Sequence, residues 1–410
     1  MVLVNYFFTN RIIMKIYSKL FLFSALFLLS ACIKEAPLEP IPDQAELALL
    51  ENMKELSKEQ LDVQAWVKPN AIIAHRGTTD YAPQETAAAF RYSKHVGADY
   101  LLVDLLMTKD GELVAFKGDY LGKTSNVKSV FPGFENAPVG HFTLAELKEM
   151  EYGSWYDDAT YKRPGFAGLQ ILTLEEVINI CEGKMPDGSP DFVDFGNRPG
   201  IYLRMDDPWL SPGIEEKLKE ELTRLGWYGE LKEINTVPTK VEVANTKGRV
   251  IIATLQKASL LKLEEVFGNT VPIGFWLWKS SGHIKVDDAK TYAEFVNFGI
   301  EHGAHFICPN ISTNDLLKPW QANMIRRTKA GIHAFTVDTK AQMARYTYNN
   351  LTPADGNIYQ KEFDLTDGFI TDRPQYAKFF YGRYYLGVDY PEAPFLDTEA
   401  IGAVFQLLGY

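Results

Sequence analysis

Cysteine is scarce in this sequence, with 3 among 410 residues, and histidine occurs only 7 times. Cys32 lies near the N-terminus, which leaves Cys181 and Cys308 for the rest of the chain. Two cysteines so placed cannot supply the thiolates of a zinc or iron–sulfur site. Two alternatives remain open for Cys181 and Cys308, a single disulfide and two buried thiols. The two residues are far apart in the chain and lie in different predicted elements, which favours the thiols.

Long runs of one charge are also missing, and only one long apolar run is present. The formal net charge of −11 is the wrong sign for a nucleic-acid surface, so we expect no nucleic-acid partner. After residue 32, no apolar run approaches the ~20 residues of a membrane-spanning helix. The chain is instead 46% hydrophobic and 13% aromatic, which is typical of a folded domain with a large core.

The apolar run at residues 20–29 has the features of a bacterial lipoprotein signal. It follows a lysine-bearing start at Met14, which we interpret as the true start, and it ends at LSAC, residues 29–32. We therefore expect residues 1–31 to be a signal peptide and Cys32 to carry the lipid that attaches the protein to a membrane. An ordinary secretory signal with an accidental cysteine is the alternative.

Residues 32–70 are predicted to form a lipidated tether and a short helix. Three prolines within residues 33–44 indicate an extended segment. Residues 45–61 then place four leucines and a methionine at helical spacing, which predicts one helix packed on the main domain.

From residue 71 onward, short apolar segments alternate with helical patterns. The predicted strands are 71–75, 100–108, 112–117, 201–205, 249–255, 272–278, 304–310, 332–338 and 368–372. Buried strands that alternate with helices indicate a parallel α/β sheet covered on both faces. About eight such units in residues 71–382 favour a (β/α)8 TIM barrel, with a doubly wound open sheet as the alternative. Residues 383–410 are predicted to be a C-terminal extension that packs on the barrel through its aromatics.

Several of these strands end in polar residues, and functional side chains of a barrel lie at the carboxyl ends of its strands. HRG ends the first strand at residues 75–77, and YAPQET follows at 81–86. The later motifs are GADY at 97–100, D-x-x-x-T-K-D-G at 104–111, GIYLRMDDPW at 200–209 and GFITDRP at 368–374. With these motifs, the chain resembles the glycerophosphodiester phosphodiesterase family, especially its longer periplasmic-type members, over about residues 72–379.

This resemblance implies a TIM barrel that binds one divalent cation, usually calcium, and hydrolyses glycerophosphodiesters to glycerol 3-phosphate and an alcohol. It also implies two histidines as acid and base, an arginine on the phosphate, and three carboxylates on the metal. His75 and Arg76 match the first histidine and the arginine. Asp104 matches one of the metal ligands.

The remaining positions depart from the family pattern. Leu102 and Arg204 stand where the resemblance calls for metal-binding carboxylates, and Lys117 stands where it calls for the second histidine. Leucine cannot ligate a cation, and arginine repels one. We therefore expect no metal cofactor and no intact catalytic set, with His75 and Arg76 as remnants. We also expect Arg204 to occupy the metal position and to pair with Asp104 as a fixed cation.

Three interpretations of this site remain open. The residues could persist only because they satisfy neighbouring hydrogen bonds. They could form a pocket for an anionic or phosphate-bearing ligand, built from a histidine, an aspartate and three cations: His75, Arg76, Asp104, Lys117 and Arg204. They could also retain some hydrolysis. We interpret His333 as a core-facing strand residue and not as a replacement base.

Together these patterns predict a lipid-anchored protein of the cell envelope that has lost metal-dependent hydrolysis and acts as a binding or interaction subunit. By resemblance to the family we expect an outer-membrane lipoprotein, and an outer-membrane protein complex as its partner. The alternative is an active glycerophosphodiester phosphodiesterase. The sequence leans towards a protein that is not an enzyme.

Overall fold

A computed structural model describes most of the chain from residue 44 to its end. The described ranges are 44–156, 164–230, 236–237, 240–241, 246–278, 284–311, 317–347, 365–382 and 397–410. The predicted signal peptide, the lipid anchor Cys32, nearly all of the tether and residues 383–396 of the extension lie outside these residues. Within the ranges, no helix combines the length and the apolar character needed to cross a membrane.

Two helices, and not the single one predicted, precede the barrel: α1 Gln44–Glu51 and α2 Lys58–Gln64. Ser57 separates them because it forms a reciprocal capping box with Gln60, in which each side chain accepts the other residue's backbone N–H. The prediction missed this break because leucine spacing continues across it, and Leu56 is buried in the linker.

Twelve strands are described, and eight of them form a closed parallel barrel. They are β1 Ala71–His75, β2 Tyr100–Met107, β3 Leu113–Ala115, β4 Leu172–Thr173, β5 Gly200–Met205, β6 Thr236–Val237, β7 Lys240–Val241, β8 Val250–Thr254, β9 Ile273–Leu277, β10 Phe306–Pro309, β11 Gly331–Phe335 and β12 Gly368–Thr371. The barrel order is β1, β2, β5, β8, β9, β10, β11, β12, and β1 pairs in parallel with both β2 and β12. This closure confirms the (β/α)8 barrel over the open sheet.

The other helices lie between or beyond the strands. They are α3 Ala87–His95, α4 Val127–Val130, α5 Leu144–Lys148, α6 Leu174–Cys181, α7 Ile214–Arg224, α8 Lys257–Phe267, α9 Ala289–Glu301, α10 Pro319–Arg327, α11 Lys340–Thr347, α12 Pro374–Phe380 and α13 Thr398–Leu407. Helices α5 and α6 begin at capping boxes, which Thr143 forms with Glu146 and Thr173 forms with Glu176. Two short strands extend the barrel wall beside the site. Strand β3 pairs antiparallel with β2, and β4 pairs antiparallel with β3.

Alternate residues of the barrel strands face the interior, which is filled with large side chains. Leu102, Tyr202 and Trp276 belong to this inner cluster and are fully buried. His333 is also fully buried and stacks on Phe306 with ring centroids 4.1 Å apart, which confirms its interpretation as a core residue.

Both cysteines of the barrel, Cys181 and Cys308, are buried and unpaired. This agrees with the prediction of two buried thiols, which the sequence favoured over a disulfide.

The described end of the C-terminal extension packs on the outside of the barrel. Phe405 of α13 stacks on Tyr92 of α3 with centroids 4.6 Å apart, and Arg91 Nη1 donates to the carbonyl oxygen of Leu408 at 2.8 Å. Aromatic packing therefore attaches this described segment to α3.

Candidate functional site

The barrel register places Asp104 beside Arg204. The two residues are direct partners on the neighbouring parallel strands β2 and β5, and residues in register on such strands point to the same face. His75 ends β1, and Lys117 follows β3. The carboxyl ends of these strands therefore bring the residues that the sequence singled out to one mouth of the barrel.

Asp104 is the centre of this arrangement. Its Oδ1 accepts from Arg204 Nε at 2.5 Å, and its Oδ2 accepts from Arg204 Nη2 at 2.7 Å and from Arg76 Nε at 2.9 Å. The expected pair of Arg204 with Asp104 is thus confirmed as a two-point contact. Burial alone would raise the pKa of Asp104, but Arg204 and Arg76 outweigh it and hold that pKa well below its ordinary value.

Arg204 itself is nearly removed from water, with a side chain only 4% exposed. The ring of Trp276 lies 4.1 Å from its Cζ, a cation–π contact. Its pKa is raised, because the attraction of Asp104 and Asp206 exceeds the opposing effect of burial. The guanidinium therefore stays charged at every pH at which the protein is folded.

Lys117 forms a second ion pair at the mouth. Its Nζ lies 2.5 Å from Asp206 Oδ2, and the other oxygen of Asp206 lies 3.2 Å from Arg204 Nε. Asp206 thus links the two cations. The Lys117 side chain is about a quarter exposed, so it is the most accessible of the cations at this end.

His75 is held by a carboxylate that the sequence prediction did not include. Its Nδ1 lies 2.8 Å from Asp372 Oδ1, at the end of β12. Among the described residues, its Nε2 has no hydrogen-bond partner although it is buried. Burial and the charge of Arg76 lower the pKa of His75, because Asp372 only partly offsets them. The imidazole is therefore neutral near pH 7.

A second acid, Asp338, lies behind Asp372. Its Oδ1 accepts from the Asp372 backbone N–H at 2.7 Å and from the Thr371 hydroxyl at 3.0 Å. Burial, together with the negative charge of Asp372, raises the pKa of Asp338 to about 7. This acid is thus poised to change its charge in the physiological range.

The loop between β1 and α3 adopts a strained backbone. Arg76 and Glu85 have φ values of 52° and 59°, in the left-handed region that side chains other than glycine rarely occupy. In return, Arg76 Nη1 reaches Gln84 Oε1 at 2.8 Å, and Glu85 Oε1 accepts the backbone N–H of Asp104 at 3.0 Å. Strain of about 1–3 kcal/mol per residue persists where such contacts over-determine it.

These residues do not fit a divalent cation. Leu102 is a fully buried apolar side chain, and the guanidinium of Arg204 already bonds both oxygens of Asp104. Among the described residues, no group of three or more His, Cys, Asp or Glu side chains is placed to hold a metal. A dication about 4 Å from the guanidinium would meet repulsion of about 8 kcal/mol at an effective dielectric of 20.

Sequence reasoning missed three members of the site. Asp372 and Asp338 end or follow the last strands of the barrel, and Trp276 lies on β9 among the side chains that fill the barrel interior. For Asp372, the signal was present in the GFITDRP motif, whose aspartate follows an apolar strand as His75 does. The other predicted members, His75, Arg76, Asp104, Lys117 and Arg204, all lie at the mouth, whereas Cys32 lies outside the described chain.

Comparisons with known proteins agree with the family resemblance seen in the sequence. A family model described as "Glycerophosphoryl diester phosphodiesterase family" matches residues 75–190. A protein of Bacillus subtilis (strain 168) named glycerophosphodiester phosphodiesterase is 27% identical over 278 residues, which is 67% of this chain and 78% of that protein. One of the same name from Caldanaerobacter subterraneus subsp. tengcongensis is 36% identical over 148 residues, 36% of this chain and 50% of that protein.

A solved structure supports the fold. The crystal structure titled a putative glycerophosphoryl diester phosphodiesterase from Silicibacter pomeroyi DSS-3 superposes with a TM-score of 0.54 at 17% sequence identity. The match covers 81% of this chain and 99% of that chain. The shared barrel thus accounts for nearly the whole of that protein.

Proposed function

The chain belongs to the glycerophosphoryl diester phosphodiesterase family, and from this premise we propose that its barrel mouth binds a phosphate-bearing ligand and does not hydrolyse it by a metal-dependent route. The substrate class of the family, glycerophosphodiesters, suggests the ligand. The protein then acts as a binding or interaction subunit.

The observation that carries the binding proposal is the buried Nε2 of His75, which has no partner among the described residues. Asp372 orients the neutral ring through Nδ1, so Nε2 can accept a hydrogen bond from a hydroxyl or a protonated oxygen of a phosphate-bearing ligand. Arg76 and Lys117 supply positive charge at the same mouth, and Lys117 is accessible to solvent. A phosphate group suits such a set of donors.

The proposed loss of hydrolysis follows from what these side chains can do. Leu102 and Arg204 leave no set of oxygen ligands for a hard divalent cation. Lys117 contacts Asp206 through Nζ, and a lysine ammonium group offers hydrogen-bond donors but no acceptor. Among the described residues, the mouth therefore offers neither a set of oxygen ligands for a metal that would activate a nucleophile nor a second histidine to exchange protons.

Binding is tested by calorimetric titration of the full chain with sn-glycerol 3-phosphate. We expect saturable binding that is weakened about tenfold or more by His75→Ala and by Lys117→Gln. Lys148→Gln is the matched control, because Lys148 has similar exposure and a similar ion pair, with Glu176, away from the site. Equal affinity in all four proteins would show that the mouth is not the binding site.

A second candidate function is hydrolysis of glycerophosphodiesters to glycerol 3-phosphate and an alcohol. The names of the relatives favour it, as does the presence of His75, Arg76 and Asp104. The assay is release of glycerol 3-phosphate from glycerophosphocholine, with calcium and with a chelator, next to His75→Ala. Turnover by the wild type above that variant would establish the enzyme and refute the non-hydrolytic proposal.

We propose in addition that the protein is anchored in the outer membrane of the cell envelope through lipidated Cys32, where it serves an outer-membrane protein complex. The lipobox at residues 29–32 supports the anchor. Cells grown with an alkyne fatty acid should label the wild type but not Cys32→Ala, and only the wild type should fractionate with outer membranes. A partner should copurify in stoichiometric amount from detergent extracts; an isolated chain would contradict the proposed complex.

A further inference from the structure

Arg204 is held in the barrel mouth on three sides. Its Nε and Nη2 bond both oxygens of Asp104, and Nε also lies 3.2 Å from Asp206 Oδ1. The ring of Trp276 covers the guanidinium 4.1 Å from Cζ. Two carboxylates and one aromatic face therefore enclose a cation that is almost out of contact with water.

We infer that Arg204 is a resident cation that replaces the divalent metal of the family, so that ligand recognition at this mouth is independent of metal ions. The inference rests on the proposed function for the place where the ligand binds. It goes further by naming the cation that takes the place of a metal at that mouth. Because Nε and Nη2 make the bonds to Asp104, the proposed donor to an anion is Nη1.

The local structure explains why the replacement is stable. Asp104 and Arg204 are register partners on β2 and β5, so the guanidinium reaches the carboxylate without any change in the strands. Leu102 lies two residues earlier on the same face as Asp104 and fills the barrel interior with apolar atoms. Where a metal would be surrounded by its ligands and water, this chain has the apolar side chain of Leu102 beneath the planar guanidinium of Arg204. Guanidinium tolerates such a dry, stacked site better than a compact ion does.

The first test is metal dependence in the wild type. Calorimetric titration with calcium, magnesium and manganese should give no saturable binding, and the affinity for sn-glycerol 3-phosphate should be the same in calcium and in chelator. Saturable calcium binding that Asp104→Asn abolishes would overturn the inference. So would an increase of about tenfold or more in glycerol 3-phosphate affinity on adding calcium.

The second test asks whether the space filled by Arg204 is a cation site. In Arg204→Ala, the ring and the carboxylates should bind free methylguanidinium, which raises the melting temperature by about 2 °C at ten times its dissociation constant. The control is Asp104→Asn/Arg204→Ala, which removes the carboxylate that holds the cation. If Arg204→Ala folds only when methylguanidinium is added, circular dichroism reports the same rescue.

Absence of rescue, or equal rescue in both variants, would overturn the inference. These outcomes differ from failure of the proposed function, in which the wild type would not bind sn-glycerol 3-phosphate at all. In that case the rescue experiment still decides whether Arg204 occupies a cation site, because it measures stability and needs no phosphate ligand.

Discussion

Replacing Arg204 by methionine should expose how strongly the fold depends on the buried ion pair. The change keeps an unbranched side chain that can still contact Trp276, but it removes the positive charge. Asp104 then remains buried and keeps its ion pair with Arg76. Removing one member of a buried pair costs about 3–5 kcal/mol because the other charge stays desolvated. Because Asp104 keeps its bond to Arg76, we expect the free energy of unfolding to fall by an amount near the lower end of this range, about 3 kcal/mol.

Equilibrium unfolding in urea, followed by tryptophan fluorescence and circular dichroism, measures this loss of free energy of unfolding. Arg224→Met is the matched control, since Arg224 also contacts two carboxylates, those of Glu175 and Glu221, but its side chain is 51% exposed. An exposed pair of this kind contributes at most about 1 kcal/mol. If the two variants lost equal stability, the buried pair would not have the role assigned to it.

Three further predictions concern other parts of the fold. Because the pKa of Asp338 is raised to about 7, the folded state binds its proton more tightly than the unfolded chain, so the stabilisation from this group is lost as pH rises from about 4 to 7. Asp338→Asn should therefore flatten the dependence of the free energy of unfolding on pH, measured by urea unfolding at several pH values. An unchanged pH dependence would contradict this prediction. Phe405→Ala removes the ring stacked on Tyr92 and should cost about 3 kcal/mol by the same assay, whereas a loss below about 1 kcal/mol would mean that the extension is loosely attached. Gly77→Ala should lower the free energy of unfolding by about 2 kcal/mol or more, since Gly77 has φ +82° and a Cβ there would lie 2.5 Å from Ala89 Cβ. A variant as stable as the wild type would refute this steric argument.

The barrel could be predicted from sequence because its strands are buried on both faces. Continuous apolar segments such as 71–75 and 250–254 need no alternation, and their spacing with helices allows few other folds. The Arg204–Asp104 pair was expected from the resemblance, which assigns both positions to one metal site. The register of β2 and β5 gives the structural reason why the two side chains meet.

The parts that could not be predicted depend on contacts between distant segments. Asp372 reaches His75 only because the barrel closes, which joins residues 297 positions apart in the chain. Closure is a property of all eight strands, and no local pattern near residue 372 reports it. The break between α1 and α2 is a different case. There the capping residue Ser57 interrupts a leucine pattern that would otherwise continue. A prediction from hydrophobic spacing alone does not take this cap into account.

The charges at the mouth form pairs, and this pairing limits how the site can have changed. Arg204 is neutralised by Asp104, and Lys117 by Asp206, so each cation that departs from the family pattern has a carboxylate in contact. A buried charge without a partner would cost several kcal/mol, a large part of the stability of an ordinary domain. Arg204 therefore could not have been accommodated without Asp104, and Asp206 relieves both cations at once. A mouth that had only lost its function could have filled with apolar side chains, as Leu102 has done. That it instead holds one buried ion pair, Arg204–Asp104, and one partly exposed pair, Lys117–Asp206, supports the proposal that positive charge at this position meets a ligand.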